Sequence, residues 1–221
     1  MVETLKYASI SIDEIIASKL RFEANVYNVE GRKAKEVLRN CKWEVKNICG
    51  TDGFATAYHR GRFKRIYIDK SGIPIFQPSQ ILEIYPKPYK FISEFTDTDI
   101  DALKVKTGQI LLSCSGTIGK VSIVTDKLNE QVFSHDLIRI NSINKNEIGF
   151  IYAYLLSDIG NTILVTNNYG AVIKHIEPEH LENVPIPNPS NEIKEKIHNL
   201  IMSSFELRDQ ANALIDQAEK L

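Results

Sequence analysis

The chain has 221 residues, 43% of them hydrophobic and 25% charged, with a formal net charge of −1. That is room for one large domain, or one domain with an appendage, whose core needs neither disulfides nor a metal. Near-average composition excludes wholesale disorder, and balanced charge excludes a uniformly basic nucleic-acid coat while allowing a local basic patch.

Met1 to Ile10 lacks the charged start and apolar core of a signal peptide. Ser11-Ile-Asp-Glu14 is a capping box, and Ile12, Ile15, Ile16 and Leu20 then mark a short amphipathic helix. Arg32 to Asn40 reads as a second helix. Residues 31–65 hold ten bases (Arg32, Lys33, Lys35, Arg39, Lys42, Lys46, Arg60, Arg62, Lys64, Arg65) and three acids (Glu36, Glu44, Asp52), so 10 − 3 = +7. This is the stretch suited to phosphates.

From Trp43 to about Ile140 the pattern changes. Arg65–Asp69, Gln109–Ser113, Lys120–Val124 and His135–Ile140 are short, β-branched runs separated by Gly, Pro, Asn and Asp, the mark of strands joined by tight turns. Glu147 to Ile159 carries one apolar helical face, with Gly160 placed to end it. Pro178 opens a short helical turn, and Val184 to Pro189 reads as an extended linker.

The last segment is the most regular. Ile193, Ile197, Leu200, Ser204, Leu207, Ala211, Leu214, Ala218 and Leu221 alternate spacings of 4 and 3, a heptad seam broken only by Ser204. Asn191 is the expected N-cap. No Gly or Pro interrupts 191–221, so the spacing predicts a helix roughly 46 Å long. Such a rod stands out from a domain this size, and its stripe must find another helix, in a partner chain or within this one.

Three motifs bear on chemistry. Ser115-Gly-Thr-Ile-Gly-Lys120 departs from a nucleoside-triphosphate loop: Val121 follows Lys120, and strands flank it on both sides. It reads as a turn between strands, with Ser115, Thr117 and Lys120 able to reach phosphate oxygens. His135 and Asp136, as strand neighbours, would point to opposite faces and not act together. No nucleophile elbow, zinc-protease motif or cofactor-binding glycine fingerprint is present. The loop Thr51 to Arg65 mixes bases, aromatics and hydroxyls, suited either to DNA or to plain solvation. Asn167-Asn-Tyr-Gly170 with Lys174 is a similar polar loop, or a simple turn. Cys41, Cys49 and Cys114 are an odd set without CxxC, pointing to reduced, cytoplasmic thiols. The five histidines are scattered, with only His175 and His180 near each other, and no run of 18 apolar residues exists. Neither a metal, nor a cofactor, nor a membrane span is expected.

Two passages together resemble a known family. Gly108-Gln-Ile-Leu-Leu-Ser-Cys-Ser-Gly-Thr-Ile-Gly-Lys-Val121 is similar to the turn motif of type I restriction–modification specificity subunits. Tyr169 to Pro189 resembles the passage that precedes the family's long helix. Leu20 to Asn28, Arg62 to Tyr67 and Gly72 to Phe76 resemble the opening of its recognition domain, whereas 77–107 matches nothing diagnostic. The family's chain has two recognition domains and two long antiparallel helices; this one is long enough for one of each.

The resemblance implies an α+β fold: a mixed target-recognition domain over 1–189, with N-terminal helices in 11–40, followed by a conserved helix over 190–221. It implies a non-catalytic subunit that docks in the major groove of double-stranded DNA. Such a subunit reads half of a bipartite target and holds methyltransferase subunits, and in complete systems the restriction subunit. Expected DNA contacts are Arg60, Arg62, Lys64, Arg65, Gln77, Gln80, Lys87, Tyr89, Lys90, Ser115, Thr117, Lys120, Asn167, Asn168, Tyr169 and Lys174. Self-association is expected through Ile193, Ile197, Leu200, Leu207, Ala211, Leu214, Ala218 and Leu221. Two further readings stay open: the recognition end of a fused restriction–methylation enzyme, and an interaction module built on the coiled coil.

Overall fold

The computed structural model describes Tyr7, residues 9–17, Leu20, Phe22, and residues 27–166 and 175–221. Asn167, Asn168, Tyr169 and Lys174, and most of the Leu20–Asn28 motif, lie outside the described residues. The architecture is α+β, with short strands and a long C-terminal helix, as expected.

Helix α1 (Ile12–Ala17) starts with the expected box: Glu14 N donates to Ser11 Oγ at 3.2 Å and Ser11 N to Glu14 Oε2 at 3.0 Å. Asn28 caps α2 (Val29–Arg39) by accepting from Gly31 N at 2.9 Å. Arg32 joins the two helices, 2.9 Å from Glu14 Oε1.

Ten strands follow. β1 (Glu44–Asn47) pairs antiparallel with β10 (Pro185–Asn188) as a separate ribbon. The 184–189 passage is therefore a paired strand over most of its length rather than a linker. Its Pro185 and Pro187 are tolerated because β10 is an edge, where a missing N–H interrupts no wider ladder.

The first four-stranded sheet runs β2 (Ala55–Tyr58), β9 (Leu137–Ser142), β6 (Ile110–Ser113), β7 (Val121–Ile123), antiparallel throughout. The second runs β3 (Tyr67–Ile68), β5 (Lys90–Ile92), β4 (Ile73–Phe76), β8 (Val132–Phe133), with β4 and β8 parallel. Between β5 and β6 lies the single-turn helix α3 (Ile100–Leu103).

Strand β6 shows why its run Ile-Leu-Leu is continuously apolar. Successive side chains point to opposite faces. Ile110 and Leu112 enter the large core beneath the helices, while Leu111 enters a second core with Phe76, Val105 and Phe133. A third, smaller cluster (Ile75, Ile92, Leu103, Val132) packs against the second sheet.

Helix α4 (Ile148–Leu156) ends before Ser157, and the chain turns by 73° into α5 (Asp158–Thr166). The single helix expected over 147–159 is thus cut short, and Gly160 lies inside the next helix rather than beyond a C-terminus. Ser157 makes the corner: its hydroxyl donates to Tyr154 O at 2.7 Å and accepts from Gly160 N at 3.1 Å. Gly160 is required because any Cβ there would overlap the Tyr154 carbonyl oxygen.

Helix α6 (Asn191–Ala218) is the long terminal helix. Its N-cap is Ser190, one residue before the expected Asn191, and the Ser190 side chain makes no capping bond. The helix does not stand clear of the domain but lies along it. It crosses α4 closely at Gly149, where a Cβ would sit 2.7 Å from the His198 backbone. Lys194 Nζ pairs with Glu147 Oε1 at 2.7 Å, His198 Nδ1 accepts from Gly149 N at 3.1 Å, and Asn212 Nδ2 donates to Ile84 O at 2.8 Å. Phe205 is buried edge-on to Tyr152 at 5.3 Å. Near the far end Asp216 accepts from Tyr85 and pairs with Lys127 at 2.9 Å. Among the described residues no single helix is long and apolar enough to cross a membrane.

Candidate nucleic-acid interface and helix seam

The basic loop 59–66 connects the end of β2 to β3, so it bridges the two sheets. Arg62 and Lys64 are exposed. Arg60 lies over the Tyr58 ring, 4.9 Å from its centroid, and His59 Nε2 is 3.1 Å from Glu177 Oε2. Phe63 anchors the loop, its ring meeting that of His135 edge-on at 5.2 Å.

Arg65 turns inward. Its Nη2 donates to Asp136 Oδ2 at 2.6 Å and Ser134 Oγ at 3.2 Å. His135 and Asp136 do meet, with Nε2 3.2 Å from Oδ1. The expectation that they face apart assumed a strand, but residues 134–136 form a bend between β8 and β9. The hydrogen bond from His135, then Arg65, holds the Asp136 carboxyl well below the usual carboxylate range despite burial. Arg65 is therefore committed to holding the loop, which takes its charge off the outer surface.

The 115–120 segment is the expected turn between β6 and β7. Gly116 and Gly119 take φ values of +70° and +82°, which only glycine adopts without strain. Ser113 Oγ closes the turn, donating to Thr117 O at 2.7 Å and accepting from Lys120 N at 2.9 Å. Thr117 and Lys120 are exposed, and Ser115 is half-buried in a β-bridge to His175. That bridge and the Glu177–His59 pair are two residues apart in the chain, which brings this turn beside the basic loop.

The segment 77–90 divides. Gln77 and Gln80 are buried, Gln80 completely, so the expectation that they reach DNA is corrected. They form a capping box at the 3-10 turn Pro78–Leu82: Gln80 Oε1 accepts from Gln77 N at 2.9 Å, and its Nε2 donates to Lys87 O at 2.5 Å. Lys87 reaches Glu219 Oε2 at 2.9 Å, which points it to the end of α6. Tyr89 and Lys90 remain exposed, Lys90 over the Tyr67 ring at 5.2 Å.

Arg139 carries no signal in the sequence. It is fully buried in β9, and its guanidinium donates to the carbonyls of Leu137 (3.2 Å), Leu103 (3.1 Å) and Phe133 (3.4 Å). Burial pushes its pKa down to about 10. It fastens the first sheet to the edge of the second, and so sets the two sheets that carry the basic loop.

Helix α6 uses its faces differently. Lys194, Ile201, Phe205, Arg208, Asn212 and Asp216 fall within about 40° of one line at 100° per residue and face the domain. Ile193, Leu200, Leu207, Ala211, Leu214 and Ala218 lie well to one side of that line and are exposed, Leu200, Leu207 and Leu214 by about two thirds (66%, 65% and 66%), while Leu221 is exposed beyond the end of the helix. Ile197 is the exception in the heptad set: it packs against the large core.

The comparisons with known proteins fit this geometry. Two solved structures share the fold, and a third is similar at a lower score. The S subunit of a type I restriction–modification system from M. genitalium superposes with TM-score 0.52 at 19% identity, over 82% of this chain and 44% of that one. A structure described for complex assembly and conformational transition of the type I system gives 0.51 at 15%, over 93% and 51%. The HsdS subunit from Thermoanaerobacter tengcongensis gives 0.46 at 16%, over 92% and 48%. The chain spans about half the length of each. No curated protein sequence matches it. The model of the type I restriction modification DNA specificity domain matches residues 42–219, from just before β1 to the end of α6. The chain belongs to that family.

Proposed function

We propose that the chain is a non-catalytic DNA-recognition subunit that reads one half of a bipartite target. In this reading residues 1–189 are the reader. The exposed set Arg62, Lys64, Thr117 and Lys120, with Arg60 beside them, meets phosphates and base edges; Tyr89 and Lys90 extend the surface across the second sheet, and Asn167, Asn168, Tyr169 and Lys174 remain candidates. Arg is suited to guanine and Lys to phosphate.

Residues 190–221 serve as the spacer. A single small reader discriminates at roughly 1–3 kcal/mol per mismatched base pair. Pairing two readers through rigid helices makes the second docking intramolecular and fixes the distance between half-sites. Two copies joined along Ile193, Leu200, Leu207 and Leu214 would read a two-fold-symmetric interrupted site and hold methyltransferase subunits on the helices.

The observation that carries this reading is the two-faced α6. One face is satisfied by the chain's own domain, yet a row of leucines one heptad apart stays in water, and such rows in water are association sites. Sedimentation at tens of micromolar is the test: a dimer is expected, and a strict monomer, with or without a methyltransferase partner, contradicts the spacer role.

A further inference from the structure

We propose that Asn212 and Asp216 fix the angle between the reader and α6, and so act as positioning residues for the spacing of the two half-sites. The inference rests on the paired-reader role above and says which groups set the distance.

Helix α6 is held differently along its length. Ile197, Ile201, Met202 and Phe205 join the large core, but among the described residues no α6 side chain beyond Phe205 joins a hydrophobic cluster. Beneath that outer part lies a groove of about 540 Å³, with Val124, Thr125, Phe205, Asp209 and Ala213 among its walls. Close packing therefore does not set where the outer part lies. Polar contacts do.

Four such contacts span the gap. Asn212 Nδ2 donates to Ile84 O at 2.8 Å, and Asp216 Oδ1 accepts from the Tyr85 hydroxyl. Asp216 Oδ2 pairs with Lys127 Nζ at 2.9 Å, and Glu219 Oε2 with Lys87 Nζ at 2.9 Å. Both ammonium groups also lie over the Tyr85 ring, Lys87 at 4.3 Å and Lys127 at 4.6 Å, which draws them into one unit.

Asn212 is only 1% exposed, although asparagine is a poor residue for a helix interior and a buried amide is costly unless paired. An apolar side chain there would hold the helix by contact area alone, which many angles satisfy. The amide is satisfied only where it meets the Ile84 carbonyl. A single buried polar pair of this kind specifies geometry at some cost in stability. The ion pairs are partly exposed and weak as stabilisers, but they add directional constraints.

Phe205 and Glu219 are 14 positions apart, about 21 Å of helix. A swing of about 10° about Phe205 moves the tip by roughly 4 Å, close to one base-pair step of about 3.4 Å. Rigid linkage of two readers converts that angle into the half-site distance. Asn212 and Asp216 face the domain, away from the exposed row Leu200, Leu207 and Leu214, so their removal leaves the pairing surface in place.

The test co-expresses the full chain with a cognate methyltransferase subunit and offers its methylated site with the spacer shortened or lengthened by one and two base pairs. The parent chain is expected to favour one spacing by at least about tenfold, the loss expected when one reader misses its bases. Asn212→Ala/Asp216→Ala is expected to methylate the neighbouring spacings within about threefold of the best, because the second docking no longer has one fixed distance. Its affinity for a duplex carrying a single half-site, followed by fluorescence anisotropy, is expected to stay unchanged. A variant that binds the half-site as the parent does and keeps the parent's single spacing overturns the assignment and leaves the paired reader standing. If the double variant binds the half-site more weakly, Tyr85→Phe/Lys127→Met, which removes both partners of Asp216, decides in its place. A wider range of spacings then supports the proposal, and an unchanged one overturns it. A parent chain that methylates no two-part site, or all spacings alike, defeats both readings.

Discussion

Arg65 Nη2 lies 2.6 Å from Asp136 Oδ2, and this pair ties the end of the basic loop to the bend between β8 and β9. Both side chains are mostly shielded, so the pair is worth more than a surface ion pair. Asp136→Asn should destabilise the fold by about 1–3 kcal/mol at pH 7, read as a lower urea midpoint. The carboxyl's folded pKa is depressed. Its stabilisation is therefore complete above the unfolded value of about 3.9 and is lost as pH falls through the folded value. Between pH 5 and pH 2 the parent chain should lose stability more steeply than Asp136→Asn. Equal slopes would show that the pair is not formed.

The two faces of α6 give opposite expectations. Phe205 is buried against Tyr152, so Phe205→Ala should cost about 3–5 kcal/mol, seen in thermal or urea unfolding. Leu207 is exposed, so Leu207→Glu should leave monomer unfolding within about 0.5 kcal/mol while abolishing self-association in sedimentation. A large stability loss from Leu207→Glu, measured where the parent chain is monomeric, would mean the seam is already covered.

At the α4–α5 corner, Gly160→Ala places a methyl group on the Tyr154 carbonyl. Backbone cannot yield as a side-chain tip does, so a loss of about 2–3 kcal/mol is expected in unfolding experiments. Ser157→Ala removes a hydroxyl that serves two bonds across the same corner and should cost about 1 kcal/mol.

In the basic loop, alanine at Arg62 and Lys64 should weaken all duplexes and lower the salt slope by about 2, without changing the melting temperature. Arg65→Ala should do the reverse: lower the melting temperature and leave the slope nearly unchanged. A slope insensitive to Arg62 and Lys64 would remove the loop from the interface.

Local signals in the sequence were legible where a few neighbouring residues suffice. The Ser11–Glu14 box, the glycine turn after β6 and the unbroken α6 all formed as their patterns indicate. What stayed hidden depends on distant partners. The inner face of α6 is largely polar (Lys194, His198, Arg208, Asn212, Asp216), satisfied by Glu147, Gly149, Ile84, Tyr85 and Lys127 among others. A hydrophobic pattern cannot see such a face, so the heptad seam looked like the helix's only commitment and the rod was expected to stand free.

The same reason separates the candidate contacts. Arg62 and Arg65 look alike in sequence, but Asp136, 71 residues further on, claims only Arg65. Gln80 looks like a free amide in a variable loop until Lys87 O and Gln77 N close around it. Nothing beside Arg139 in the sequence marks its burial, because the three carbonyls that enclose it come from three separate places.

The most direct measurement co-expresses the chain with a cognate methyltransferase subunit and maps modified bases across host DNA. The expected result is one interrupted, two-fold-symmetric methylated sequence that is lost when Arg60, Arg62 and Lys64 are replaced by alanine and when Leu200 and Leu207 are replaced by glutamate. Methylation that is absent, or unchanged by both sets of substitutions, would contradict a paired reader of DNA half-sites.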